Sequence, residues 1–199
     1  MKKLLLLTAL CASLTASAQE KVSADEVQRI ARRLTEQFGE LSDAQIKVAP
    51  DAARGDAFKA GEIIVMVLPD KNLTAAALEK LGADLVPVGQ LYFKAVAPAK
   101  DGKVAPSDKL RIVTVSDQGT DHRIPLCLLG ARKRDDRLEL VVFGSEKTPF
   151  TQVTLRKAEG SQGAPIELSG EKQDEESGSV TLSILGQYKA TLVVMKQAN

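Results

Sequence analysis

Short segments in which apolar and polar residues alternate, each closed by a turn cluster, follow one another from about Lys109 to Met195 with no helical period between them. That pattern commits the second half of the chain to strands. About seven are expected, centred on 110–115, 122–129, 138–143, 151–155, 166–168, 180–185 and 188–195. Asp117-Gln118-Gly119, Asp135-Asp136, Gly144-Ser145 and the glycine-bounded stretch 160–163 supply turn residues between them. Strands joined in succession by turns pair antiparallel. Residues 109–199 are therefore expected to form an antiparallel β-sandwich or open barrel.

The last two strands carry the clearest register information. Val180, Leu182 and Ile184 alternate with Thr181 and Ser183; after Gly186, Tyr188, Ala190, Leu192 and Val194 alternate with Lys189 and Thr191. A two-residue turn at Gly186-Gln187 would set Ile184 against Lys189 and mix the core and solvent faces. Pairing Ile184 with Tyr188, Leu182 with Ala190 and Val180 with Leu192 keeps one face apolar. The facing rule thus predicts a three-residue loop at 185–187 or a bulge beside it.

Residues 19–97 read differently, as a small α/β portion. Ser23-Ala24-Asp25-Glu26 has the form of a capping box, and Val27, Ile30, Ala31, Leu34 and Phe38 follow at helical spacing. A helix is expected over 24–38, stopped by Gly39. Ile46 and Val48 suggest a short strand, and 50–60 reads as a loop. The continuous apolar run near 62–68 is long enough for a strand buried on both faces. A second helix is expected over 73–81, capped by Asn72 or Thr74, then strands within 85–96 interrupted by Pro87 and Gly89. A strand, a helix and a strand in succession allow a crossover unit. Residues 98–108, with two prolines, a glycine and several charges, make the natural linker. The fold class expected is α+β, with one domain or two left open.

The N-terminus has the form of an address label. Met1-Lys2-Lys3 is basic, 4–14 is apolar but short for a bilayer, and Ala16-Ser17-Ala18 resembles a cleavage site before Gln19. A secretory signal peptide over 1–18 and an exported, periplasmic or secreted protein are expected. Leu10 before Cys11 argues against a lipoprotein signal, which wants a small residue there. Cleavage would remove Lys2 and Lys3 from the 27 basic side chains and leave the 26 acidic ones, so the remaining chain is close to neutral. Such a balance offers no broad electrostatic footprint for nucleic acid or an anionic membrane. Of the two cysteines only Cys127 would remain, so no internal disulfide is expected. Strands shorter than a bilayer needs, few aromatics and no Trp argue against an outer-membrane barrel.

Candidate chemistry is sparse. His122 is the only histidine, and Cys127, five residues on in the same expected strand, falls on the opposite face. Together they make a poor metal pair, and no metal or cofactor is expected. Asp121 and His122 are the residues a hydrolase would use, with Ser116, Thr120 or Ser145 as nucleophile. No glycine-flanked nucleophile elbow accompanies them. The acidic run Glu171, Asp174, Glu175 and Glu176 lacks the spacing of a calcium loop and reads as a solvated turn. Arg132, Lys133, Arg134 and Arg137 form the densest basic patch, interleaved with Asp135 and Asp136. If they bind anything, it is a protein or an acidic polymer of the cell envelope.

These features favour a non-catalytic interaction or structural module of the cell envelope or secreted space. The alternatives are a small secreted hydrolase using acidic residues or His122, and a carrier of an apolar ligand inside a β-barrel. A deep pocket with converging carboxylates would favour the enzyme, an apolar cavity the carrier, and an open sheet edge or exposed apolar patch the module.

Overall fold

The computed structural model describes residues 19–38, 41, 44–117 and 120–197. The expected signal peptide, the Gly39 helix stop and the Gln118-Gly119 turn lie outside the described residues. In chain order the elements are β1 (Glu20–Lys21), α1 (Ala24–Phe38), β2 (Asp56–Ala60), β3 (Ile63–Pro69), α2 (Ala75–Glu79), β4 (Val86–Lys94), β5 (Val96–Lys100), β6 (Lys103–Val104), β7 (Arg111–Asp117), β8 (Thr120–Arg134), β9 (Arg137–Phe143), β10 (Thr151–Thr154), β11 (Arg156–Lys157), β12 (Ile166–Lys172), β13 (Ser177–Ile184) and β14 (Tyr188–Lys196). A 3-10 turn, Ser107–Lys109, precedes β7.

The chain is mostly antiparallel sheet, with two sheets and few helices. An eight-stranded sheet runs β1-β2-β3-β4-β8-β9-β10, with β7 also pairing β8; a six-stranded sheet runs β12-β13-β14-β5-β6, with β11 also pairing β14. Alternation along the strands decides what each face meets. In β3, Val65 and Val67 join the core that also holds Leu182, Ile184 and Leu192 of the second sheet. Met66 and Leu68 point the other way, against Val27, Ala31 and Leu34 of α1. The run is apolar throughout because both faces are covered. Beyond α1 the same outer face is closed by Ile46 and Val48, which cover Leu128, Val141 and Phe143.

All seven expected C-terminal strands form, and the final hairpin has the expected register: Ile184 pairs Tyr188, Leu182 pairs Ala190 and Val180 pairs Leu192. The three-residue loop turns through Leu185 and Gly186, at φ 53° and 66°. The left-handed region suits the glycine and is unusual for the leucine. Helix α1 spans the residues expected, and Ser23 Oγ accepts the Glu26 N–H at 3.3 Å. Thr74 caps α2 by accepting from the Ala77 N–H, though the helix is shorter than its expected 73–81.

Four expectations in the N-terminal part need correction. Ile46 and Val48 are buried but form no strand; their side chains pack against Leu128, Val141 and Phe143 instead. The stretch 50–60 is not all loop: Asp56–Ala60 is β2, paired along its length with β3. No parallel crossover forms, for β3 and β4 are antiparallel neighbours with α2 in their connection. Pro87 and Gly89 do not break a strand; β4 absorbs them as a bulge against Gly130 and Leu129, with Val88 turned into the core.

The segment 98–108 carries part of β5, β6 and the 3-10 turn. Strands before and after it pair in the first sheet, β4 with β8, and β5, which runs into it, pairs with β14 in the second. The chain passes from one sheet to the other at Ala95, a non-glycine residue at φ 64° between β4 and β5. It returns to the first sheet between β6 and β7, through the 3-10 turn, and crosses to the second sheet again at the buried Leu155, between β10 and β11.

Candidate functional site

Where β12 approaches β2, the two sheets are joined through side chains. Neighbouring sheets cannot share ladder bonds at this seam, so the outward N–H groups of β12 need other acceptors. Asp56 Oδ2 accepts the Leu168 N–H at 2.6 Å, and Gln19 Oε1 accepts the Gly170 N–H at 2.9 Å. Lys21 forms an ion pair with the same Asp56 oxygen. Phe58, next but one along β2, lays its ring over Gly170, where there is no side chain to exclude it.

Beside this seam lies a cleft of about 220 Å³ between the sheets, under the tip of the β12–β13 hairpin. Phe58, Ile63, Val65, Val96, Val180 and Val194 contribute its apolar walls. Its rim is charged: Glu171, Asp174, Glu175 and Glu176 against Lys172 and Lys196. Two of those acids are already engaged. Glu176 Oε1 lies 3.5 Å from Lys196 Nζ. Asp174 shapes the turn, accepting from the Glu176 and Ser177 N–H groups at 2.8 and 2.7 Å and from the Ser177 hydroxyl at 2.6 Å. The Ser177 hydroxyl and those amides hold its carboxyl below the usual range. Among the described residues no group of three His, Cys, Asp or Glu side chains is placed to hold a metal ion.

The residues singled out from the sequence lie elsewhere. Asp121 and His122 are in the first part of β8, opposite Ser116 and Val115 of β7. By alternation His122 shares a face with Ile124 and Leu126, the face that packs toward α1. Ser145 braces the start of β7 instead: its Oγ donates to the Asp108 carbonyl at 2.8 Å and its N–H to the Lys109 carbonyl at 3.0 Å. From Arg111 to Val115 is roughly 13 Å at ~3.3 Å per residue, so Ser145 and His122 attend opposite ends of that strand. Cys127 is fully buried between the sheets, where burial pushes its thiol up to about 12.

The basic patch is a hairpin whose charges are largely matched. Asp135 and Asp136, at φ 48° and 61°, form the two-residue turn between Arg134 and Arg137. Arg132 Nε lies 3.2 Å from Glu139 and its Nη2 donates to Gln152 Oε1 at 2.9 Å. Lys133 and Arg134 lie 2.9 and 3.7 Å from Asp136 and Asp135. Arg137 is exposed at the hairpin end.

A second, smaller groove of about 140 Å³ lies between α1 and the first sheet, with Val27, Ile30, Met66, Tyr92 and Ile124 among its walls. The Tyr92 hydroxyl at its floor donates to Gln90 Oε1, and burial raises the phenol above its usual range.

No protein-family model, curated protein or solved structure matches this chain.

Proposed function

We propose that this protein is an exported, non-catalytic binding module whose two sheets close as a sandwich and whose recognition element is the cleft at the β2–β12 seam. The observation that carries the reading is the cleft's make-up. Its walls are apolar side chains held by strands of both sheets, and its polar groups sit at the rim. A site of that kind seats an apolar group and orients it by the rim.

Size narrows the occupant. An apolar cavity of roughly 150 Å³ is enough to bind benzene, whereas drug-sized ligands need about 300 Å³ or more. At about 220 Å³ the cleft takes one ring or one branched aliphatic group. It is too small for a whole acyl chain, which favours a module over a lipid carrier. The hydrolase reading has less to rest on, since His122 and Asp121 line neither cavity.

The test is a fluorescence titration with N-phenyl-1-naphthylamine, a neutral apolar probe that can seat its single phenyl ring in the cleft and leave the naphthyl group at the rim. Saturable enhancement is expected, and it should be lost in Ala60→Phe, which plugs the cleft from the end of β2. Equal enhancement in a variant that stays folded by circular dichroism would remove the cleft from consideration. Export is tested separately, by the N-terminal mass of the protein recovered outside the cytoplasm. A chain beginning at Gln19 is expected, and an intact Met1 there would overturn the signal-peptide reading.

A further inference from the structure

We infer that the occupant of the cleft is one apolar side chain of a basic peptide segment, presented by a partner protein. The inference deepens the reading of the cleft just given and rests on it.

Three observations combine. The first is volume: about 220 Å³ accepts a single leucine- or phenylalanine-sized group, the scale of an anchor residue at a protein interface. An amphiphile with a long chain would leave most of that chain in water. The second is the sign of the rim. Four acidic residues, Glu171, Asp174, Glu175 and Glu176, and two lysines, Lys172 and Lys196, are among those that line it. Lys196 is matched to Glu176, and Asp174 stays ionised because the turn donates three hydrogen bonds to it. The excess is negative, so positive charge flanking the anchor is favoured. The third is position. Asp174, Glu175 and Glu176 are on the hairpin tip and Glu171 is near the end of β12, all lining the cleft together with the apolar walls, so residues on either side of a seated anchor lie near them.

Exposed charges act through water and are screened by salt, so their part is discrimination more than affinity. A cationic peptide is expected to bind about tenfold more tightly than its acidic counterpart at low ionic strength, with the ratio shrinking toward one at high salt.

Fluorescence polarisation of labelled five-residue peptides tests this on the folded protein. One peptide has a leucine flanked by two lysines on each side, the second has glutamates in their place, and the third keeps the lysines with glycine at the centre. Expected are binding of the first, about tenfold weaker binding of the second, and loss of the third. The double variant Glu171→Gln/Glu175→Gln should abolish the preference for lysine while leaving N-phenyl-1-naphthylamine binding intact. Equal binding of the lysine and glutamate peptides overturns the charge inference but leaves the apolar cleft standing. Equal binding of the leucine and glycine peptides overturns it as well, because the anchor would then be idle. If N-phenyl-1-naphthylamine does bind and no peptide does, the occupant is a small molecule and the peptide inference fails. If neither binds, the reading of the cleft itself fails.

Discussion

The ring of Phe58 lies so close to Gly170 that a Cβ built on the glycine would come within 2.6 Å of Cζ. Phe58 is buried and belongs to the core that the two sheets share. Glycine weakens a strand by adding backbone freedom and no packing, so its presence inside β12 needs a reason. The reason is this approach, which lets β2 and β12 meet.

Gly170→Ala is therefore expected to overpack the seam and cost about 1–3 kcal/mol. Phe58→Leu alone should also destabilise, by removing buried ring atoms. Together the two changes should be less harmful than their sum, since the smaller side chain gives the new methyl room. A double-mutant cycle by urea unfolding measures this. Strict additivity would show that the ring and the glycine are not coupled.

Asp56 makes the polar counterpart of that contact. Replacing it with Ala leaves the Leu168 N–H on the edge of β12 without its acceptor and removes the partner of Lys21. A loss of about 1–3 kcal/mol is expected. Amide hydrogen exchange gives a sharper readout: protection should fall at Leu168 while the Leu182 amide, deep in the second sheet, keeps its own. Uniform loss across the sheet would mean that Asp56 supports the whole fold and not the seam alone.

How much of this was legible depends on whether the cause was local. The β13–β14 register could be derived because Val180, Leu182 and Ile184 alternate cleanly and only one pairing keeps them inward. Strand β2 was not legible. Asp56, Ala57, Lys59 and Ala60 have weak strand preference, and what makes them extended is pairing with β3 on one side and β1 on the other. Ile46 and Val48 show the converse: they have strand-forming side chains, yet they plug the outer face of β8 and β9 with no strand beside them. Pro87 and Gly89 read as breaks because a bulge is fixed by the opposing strand, here Gly130 and Leu129. The cleft could not be read at all. Its walls come from β2, β3, β5, β12, β13 and β14, and only the acidic tip drew notice in the sequence, as a solvated turn.

The loop before β2 carries an acid-sensitive contact. Burial would raise the Asp51 carboxyl, but the Arg54 side chain and the Ala53 N–H, at 2.6 and 3.0 Å, outweigh it and hold the group below its ordinary value of 3.8. A lowered folded value stabilises the fold above the unfolded pKa, and that stability is lost as pH falls through the folded value. Asp51→Asn is expected to cost roughly 0.5 kcal/mol at neutral pH, a small figure because solvent screens a carboxylate near the surface. The difference from wild type should shrink as pH falls below that ordinary value of 3.8. Urea midpoints from pH 7 down to pH 2 check this, and a gap that stays constant with pH would assign the loss to packing.

Cys127 reports on whether the chain folds as one unit. Its side chain faces the core between the sheets, and its backbone pairs with Leu91, from the other side of 98–108. With the thiol pushed up to about 12 and fully buried, the native protein should not react with an aromatic disulfide reagent at neutral pH. Labelling should proceed only through unfolding, in a single phase. Its dependence on urea should match that of the two tyrosines, Tyr92 in the first sheet and Tyr188 in the second. A raised thiol value also carries a pH signature. The stability it contributes is complete below the unfolded value of 9.0 and declines as pH rises from there toward 12. Cys127→Ala should remove that alkaline decline, although the smaller side chain costs stability at every pH. Labelling at urea concentrations where both tyrosines remain native would show that the core opens in parts, and residues 19–97 and 109–199 would then have to be treated as separate folding units.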